Sequence, residues 1–482
     1  MNELSPDIEF LHSALCEESC LNSLSDFHLW FKKQQEKTHV KIEMIPFAEL
    51  KNWKFDSKTT NLKHYSGQFF SVEGIRINTN RGIKTTWDQP IINQPEIGYL
   101  GIISKKINGI LHFLMQAKIE PGNLNYVQLS PTLQATKSNY TQVHKGRVPL
   151  YLEYFNGKSN AKIKILSDQL QSEQGARFLK KRNRNIIIEV KNDIPVYDNF
   201  FWLTLGQIKD LLKYDNLVNM DTRTVISGIS FIDNFIEPDT SFLSEELQRK
   251  KIPQKQKDFL LSAVDTKNSK NTFDDILSWL ANLKFKYELE VQRIPLNDVK
   301  EWIKTYYDIH HIQKKYFSVI AANIEIGNRE VFGWTQPLIK SAQEGIIAFI
   351  IKKINGVYHF LTQAKTEAGN FDIVELAPTV QCLTGNYRAD ENEYDVPFLD
   401  IVLNINKEQI LYKTMQSEEG GRFYKEQNLN MIIELKENDV LHLPENYKWL
   451  TLNQLLIFIK FNNYLNIQAR SLISAINFRN YE

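Results

Sequence analysis

Apolar and polar residues alternate along this chain in two periods, and each period occurs twice. Phe27, Trp30 and Phe31 recur at helical spacing with Lys32, Lys33 and Glu36 between them, so residues 1 to about 44 read as helical. Ile276, Trp279, Leu280 and Leu283 repeat that stripe further on. The period then drops to two. From Ile110 to Ile119, His112, Leu114, Gln116 and Lys118 fall on one face of a strand, and Phe113, Met115, Ala117 and Ile119 on the other. Asn108-Gly109 stands just before it, and Asn-Gly between apolar runs predicts a hairpin.

The hairpin strand returns. Ile110–Asn123 reads ILHFLMQAKIEPGN and Val357–Asn370 reads VYHFLTQAKTEAGN, with nine of fourteen positions identical. The separation of 247 residues holds from Phe69-Phe70-Ser71-Val72 (Tyr316-Phe317-Ser318-Val319) to Trp202-Leu-Thr-Leu (Trp449-Leu-Thr-Leu), with a two-residue slip between. The chain is therefore one unit built twice. The expected division is residues 1–231, a linker at 232–273 without a copy elsewhere, and 274–482, with a helix from Phe242 to Lys250 inside the linker. Tyr151–Phe155 reads as a short strand, loosely matched by Phe398–Val402. Gln171–Arg177 and its copy Gln416–Arg422 read as the start of a helix reaching about Arg182. Asn185–Val190 and Asn430–Leu435 read as buried strands. Thr204 with Gln207, and Thr451 with Gln454, are capping boxes. Pro131 and Pro378 mark irregular segments. Each unit is α+β.

Composition narrows the class. The chain has 482 residues, 42% hydrophobic and 12% aromatic, and a net charge of +1, so no overall field favours nucleic acid or a membrane surface. No apolar run is long enough to span a bilayer, and the N-terminus lacks the pattern of a signal peptide. Cys16, Cys20 and Cys382 are too scattered for a disulfide framework, which points to a reducing, cytoplasmic setting. P-loop, dinucleotide-fold, HExxH, paired CxxC and GxSxG signatures are all missing.

Repeated polar residues serve packing or a site. His112, Gln116, Lys118 and Glu120 share a strand face, present twice, so a structural Lys–Glu pair competes with a catalytic His/Lys/Glu set. Arg177, Lys180, Lys181, Arg182 and Arg184 put five positive charges in eight residues, whereas the second unit keeps Arg422 and Lys425 and then has Glu426, Gln427 and Leu429. A solvated face is one reading; a diphosphate cradle using Arg177 and Arg184 is the other.

Several long strings occur in order: Gly109–Thr136, Tyr151–Phe155, Leu170–Asn185, Ala377–Cys382, Ser417–Tyr424 and Leu465–Ser471. On these the chain resembles the NDP-hexose 2,3-dehydratases along essentially its whole length. The resemblance implies two tandem Nudix-hydrolase-like domains, a homodimer, and a thymidine-diphosphate 4-keto-6-deoxyglucose substrate converted to the 3,4-diketo-2,6-dideoxy product. A ketoreductase or aminotransferase would act next. The metal-binding box of Nudix hydrolases is present only in fragments at Gln171–Arg177 and Gln416–Arg422, so metal-dependent nucleotide hydrolysis is not expected. The chemistry needs a base at C3, a cation or hydrogen-bond donor at the C4 oxygen and an acid for the departing C2 hydroxyl, with no redox cofactor or obligatory metal. Glu120 is expected as the base, Lys118 at the C4 oxygen and His112 as the acid. Gln116, Asn123, Gln128, Tyr140, Glu153, Glu173, Arg177, Arg182, Arg184 and Trp87 are expected to bind substrate, with Lys365, Glu367, Asn370, Arg422 and Arg470 from the second unit. Both units keep His, Lys and Glu, but the fuller basic cluster favours the first as catalytic. A non-catalytic sugar-nucleotide binder, a pyrophosphatase and an isomerase are the competing readings.

Overall fold

The computed structural model describes residues 5–16, 19, 21–141, 148–231, 252–327, 333–382 and 396–479. The expected helix Phe242–Lys250 lies outside these. Among the described residues no helix is long and apolar enough to cross a membrane.

Each half holds a seven-stranded and a five-stranded sheet with helices packed against them. In the first half the larger sheet runs Ile163–Ser172, Arg182–Val190, Gly98–Ile107, Ile110–Ile119, Phe200–Thr204, with short strands Val127–Ser130 and Leu133–Ala135 alongside. Gly98–Ile107 and Arg182–Val190 pair in parallel, and the other pairs of this sheet are antiparallel. That central position buries their apolar stretches, Ile102–Ile103 and Ile186–Ile188, on both faces. The hairpin forms as expected: Asn108 and Gly109 both take positive φ (49° and 83°), as do Asn355 and Gly356 (55° and 79°). Phe113, Met115, Ala117 and Ile119 enter the main core, while Leu114 packs on the opposite side with Ile186 and Trp202. Both threonine capping boxes form, at Thr204 and Thr451.

The halves are interwoven. Strand Val40–Ile45 of the first pairs with Phe317–Ile326 of the second, and Leu289–Ile294 of the second pairs with Ser71–Thr79 of the first. Residues 40–45 are thus a strand, not the tail of a helix. Their VKIEMI alternation suits an edge, but only the other half supplies the partner. Helix Gln254–Val264, inside the span read as linker, sits in the second half as Pro6–Ala14 sits in the first. Ser13 donates to Leu111 O and accepts from Leu205 N; Ser262 donates to Tyr358 O and accepts from Leu452 N.

Two further expectations are corrected. Tyr151–Phe155 is not a strand: Leu152–Phe155 is a short helix entered through Tyr151 at φ 63°, and Leu399–Leu403 follows Phe398 at φ 66° in the same way. Leu152 and Phe155 lie three apart, so one turn of helix buries both. The stretch from Gln171 to Arg182 is not a helix either. A strand ends at Ser172, a turn follows, Phe178 bridges Ile92, and a strand resumes at Arg182. Tertiary contact claims this turn. Gly369 N donates to Gly175 O and Lys180 N to Gly369 O; reciprocally, Gly122 N donates to Gly420 O and Lys425 N to Gly122 O. A β-carbon on Gly122 would fall 1.6 Å from Phe423 O, and one on Gly369 1.7 Å from Phe178 O. The two glycine tips therefore lock the halves together.

Candidate active site

A cavity of about 850 Å³ lies between the halves. The hairpin strand supplies Gln116 and Lys118, and Glu120 follows where Pro121 ends the strand. Glu173, Lys181 and Asn183 come from the turn and strand after Ser172, and Asp221 from helix Met220–Ser227. Trp334, Gln336, Glu419 and Arg422 reach in from the second half. Trp53, His64, Phe69 and Phe70 form an aromatic section of the wall.

Gln134 organises the polar end. Its carbonyl oxygen accepts from Ser130 Oγ (2.9 Å) and Asn219 Nδ2 (3.2 Å). The amide nitrogen is thereby turned to donate to Glu120 Oε1 at 2.6 Å, and Lys118 Nζ donates to the Gln134 main-chain oxygen at 3.0 Å. Asn183 donates to Glu173 Oε1 at 2.7 Å, while Glu173 Oε2 and Asp221 Oδ1 are buried without hydrogen-bond partners. Arg422 lies 4.3 Å over the Phe70 ring and donates to Gln94 Oε1 at 3.3 Å.

Four carboxyls, Glu120, Glu173, Asp221 and Glu419, share this wall with Lys118, Lys181 and Arg422. Burial raises the Glu419 carboxyl to about 7; Arg422 opposes the shift and the Glu120 and Glu173 charges add to it. Burial, then Glu120, Glu173 and Glu419, hold Asp221 well above the usual carboxylate range. Burial also raises Glu173 and lowers Lys181 to about 8, the latter against the pull of Glu173. Groups pushed towards neutrality from both sides suit proton transfer. Among the described residues no His, Cys, Asp and Glu trio converges in a metal-holding arrangement.

A second cavity, about 360 Å³, repeats the design around Gln363, Lys365, Glu367 and Gln381, with Trp87 and Arg177 crossing from the first half. Gln381 donates to Glu367 at 2.9 Å, and Arg177 lies 4.2 Å over Phe317. Three charged residues differ. Gln468 stands at the place of Asp221, Gln174 at that of Glu419 and Glu426 at that of Lys181.

The expected residues divide accordingly. Gln116, Lys118, Glu120, Glu173 and Arg422 meet in the large cavity; Trp87, Arg177, Lys365 and Glu367 meet in the small one. His112 lines neither. Six residues along an extended strand separate its Cα from that of Lys118 by about 20 Å. His112 Nδ1 donates to Ile110 O and Nε2 shares a hydrogen bond with Ser19 Oγ, so both ring nitrogens are engaged away from the cavity; burial lowers its pKa and favours the neutral ring. Asn123 and Asn370 lie buried at the lock between the halves, against Gly420 and Gly175. Gln128 accepts from Ser417. Tyr140 packs on Tyr99. Glu153 is exposed on its short helix. Arg470 is buried and donates to Ser172 O, Leu465 O and Thr224 Oγ1, tying the halves together. The basic cluster forms no cradle. Arg177 enters the small cavity and Lys181 the large one, Arg182 covers Phe371, and Arg184 makes a two-point pair with Asp168 at 2.8 and 2.6 Å. A turn inside the run sends its members to different places. Asp221, Glu419, Lys181 and Gln134 were not singled out in the sequence as cavity residues. The signal for the three charged ones was there, in their changed charge between the copies.

The duplicated α+β chain belongs to a class of sugar-nucleotide dehydratases, the NDP-hexose 2,3-dehydratase family, whose model matches residues 24–229 and 273–476. Particular relatives are the dTDP-4-dehydro-6-deoxy-alpha-D-glucopyranose 2,3-dehydratases of Saccharopolyspora spinosa and Amycolatopsis orientalis. The first is 44% identical over 97% of this chain and 94% of its own length. The second is 40% identical over 94% and 90% respectively. A third, of Streptomyces violaceoruber, is 38% identical over 95% and 97%.

Proposed function

We propose that this chain removes water across C2 and C3 of a thymidine-diphosphate 4-keto-6-deoxyglucose, and that the large cavity does so. The observation that carries the choice of cavity is the set of differences between the two. Both hold a Lys–Glu–Gln group and a crossing arginine, but only the large one adds Asp221, Glu419 and Lys181. In the 4-keto sugar the C4 carbonyl acidifies the proton on C3. Glu120 takes that proton, held in place by the Gln134 amide. Lys118 and Arg422 neutralise the charge that builds on the C4 oxygen, a contribution that counts for more in a site shielded from water. The aromatic section around Trp53 and Phe69 offers faces for a nucleobase.

Nudix-hydrolase-like units, a homodimer, a cytoplasmic setting and a ketoreductase or aminotransferase acting on the labile diketone belong to the same proposal. The mixed sheets with packed helices are compatible with the first of these. The test is paired: Lys118→Met and Lys365→Met, each incubated with the thymidine-diphosphate keto sugar and followed by mass spectrometry for loss of water. Lys118→Met should abolish elimination and Lys365→Met should leave it. The reverse pattern would move the reaction to the small cavity. Release of nucleoside monophosphate by the unmodified protein would make it a pyrophosphatase, and no change in the sugar would make it a binder.

A further inference from the structure

With His112 held by Ile110 O and Ser19 Oγ away from the cavity, the departing C2 hydroxyl needs another proton source. We propose that Asp221 donates that proton, and that the second half has lost the reaction partly because Gln468 stands in its place.

The argument starts from position. Asp221 is in the first turn of helix Met220–Ser227, capped by Asn219, whose side chain accepts from Thr222 N. That cap leaves Asp221 on the cavity wall, only 3% exposed, with Oδ1 buried and unpartnered. An unpartnered oxygen on a buried carboxylate is costly, and a neutral carboxylic acid in the same place costs far less. Lys118 and Glu120 of the hairpin strand, Glu173 of the turn after Ser172 and Glu419 of the other half act on it electrostatically. Three of these four are carboxyls that keep its proton on. Lys181 is drawn by Glu173 and Glu419, so its charge is shared with them. At the matching place Gln468 is fully buried, and an amide has no proton to transfer.

The proton balance closes. Glu120 takes the C3 proton, and the electrons of that bond move on to the C4 oxygen as an enolate; the enolate then collapses, re-forming the C4 carbonyl and making C2=C3 as the C2–O bond breaks. The leaving oxygen takes the Asp221 proton and departs as water. The resulting enol ketonises: its O–H proton returns to Asp221, and Glu120 delivers its proton to C2. Both carboxyls are then restored, and the net change is one water lost.

This inference rests on the dehydratase reading, and its test separates the two. Asp221→Asn and Asp221→Gln are compared with the unmodified protein; the glutamine is the residue the same fold already carries at Gln468. Three measurements are made in D₂O: elimination of water from the keto sugar, exchange of the C3 proton by NMR, and fluoride release from the 2-deoxy-2-fluoro analogue. Fluoride leaves without being protonated. Elimination should fall by about 10²–10⁴-fold, the usual worth of a general acid. C3 exchange and fluoride release should stay near the unmodified rates in at least one variant, which also shows that variant to be folded. Equal loss of all three in both variants would overturn the role of Asp221. Unmodified protein that neither exchanges C3 nor eliminates would overturn the dehydratase reading, and this inference with it.

Discussion

Gly122→Ala tests how far the active site depends on the lock between the halves. A β-carbon there would stand 1.6 Å from Phe423 O and 2.6 Å from Gly420 O, both main-chain atoms that no side-chain rotation moves. Reaching ordinary contact near 3.4 Å requires a shift of about 1.8 Å. Such a shift breaks the bonds from Gly122 N to Gly420 O and from Lys425 N to Gly122 O. Two hydrogen bonds at about 0.5–1.5 kcal/mol each, with about 1–3 kcal/mol of overpacking, give a loss of roughly 2–6 kcal/mol. That is a large part of the ~5–15 kcal/mol that stabilises a typical fold. The same residues carry Glu419 and Arg422 into the cavity, and a misplacement of about 1 Å costs on the order of 10²-fold in rate. Gly109→Ala is the control. Gly109 also has positive φ but no atom within 4 Å of the added carbon, so it should cost about 1–2 kcal/mol and leave turnover alone. Urea unfolding and turnover per folded molecule are the measurements. If Gly122→Ala unfolds at the same urea concentration as the unmodified protein, or if Gly109→Ala loses as much turnover, the lock does not position the site.

Two other variants separate structural from chemical roles. His112→Asn should lower stability by about 1–3 kcal/mol, because Ser19 Oγ or Ile110 O loses its partner, yet leave turnover per folded molecule unchanged; a hundredfold fall in rate would return the histidine to the chemistry. Glu375→Gln probes pH. Burial lifts the Glu375 carboxyl to about 7 from an ordinary value of 4.5, so the stabilising proton held in the folded state below pH 4.5 is lost as pH rises through 7. The variant should unfold with a shallower pH dependence between 5 and 7.5 and exceed the unmodified protein at pH 8; an unchanged slope would remove Glu375 from that account. The substitution is tolerable because Gln128, at the matching place, accepts from Ser417 Oγ as Glu375 accepts from Ser172 Oγ.

The duplication, the Asn-Gly hairpins, the capping boxes and the strand that carries Lys118 and leads into Glu120 were legible in the chain. Each depends on neighbours a few residues apart, or on direct comparison of two copies. The local signals misled at Tyr151–Phe155 and Gln171–Arg182, where burial three residues apart and contact with the other half overrode propensity. They also placed His112 beside Lys118 because both share a strand face, without registering that a strand carries them about 20 Å apart. Only the tertiary structure decided that the halves exchange strands, that five clustered basic residues scatter, and that Glu419 and Arg422 complete a cavity begun by Lys118 and Glu120. Those outcomes rest on contacts between residues up to some 300 positions apart, such as Gly122 with Gly420. Periodicity holds no record of such pairs, because it reports which face a residue takes and not what that face meets.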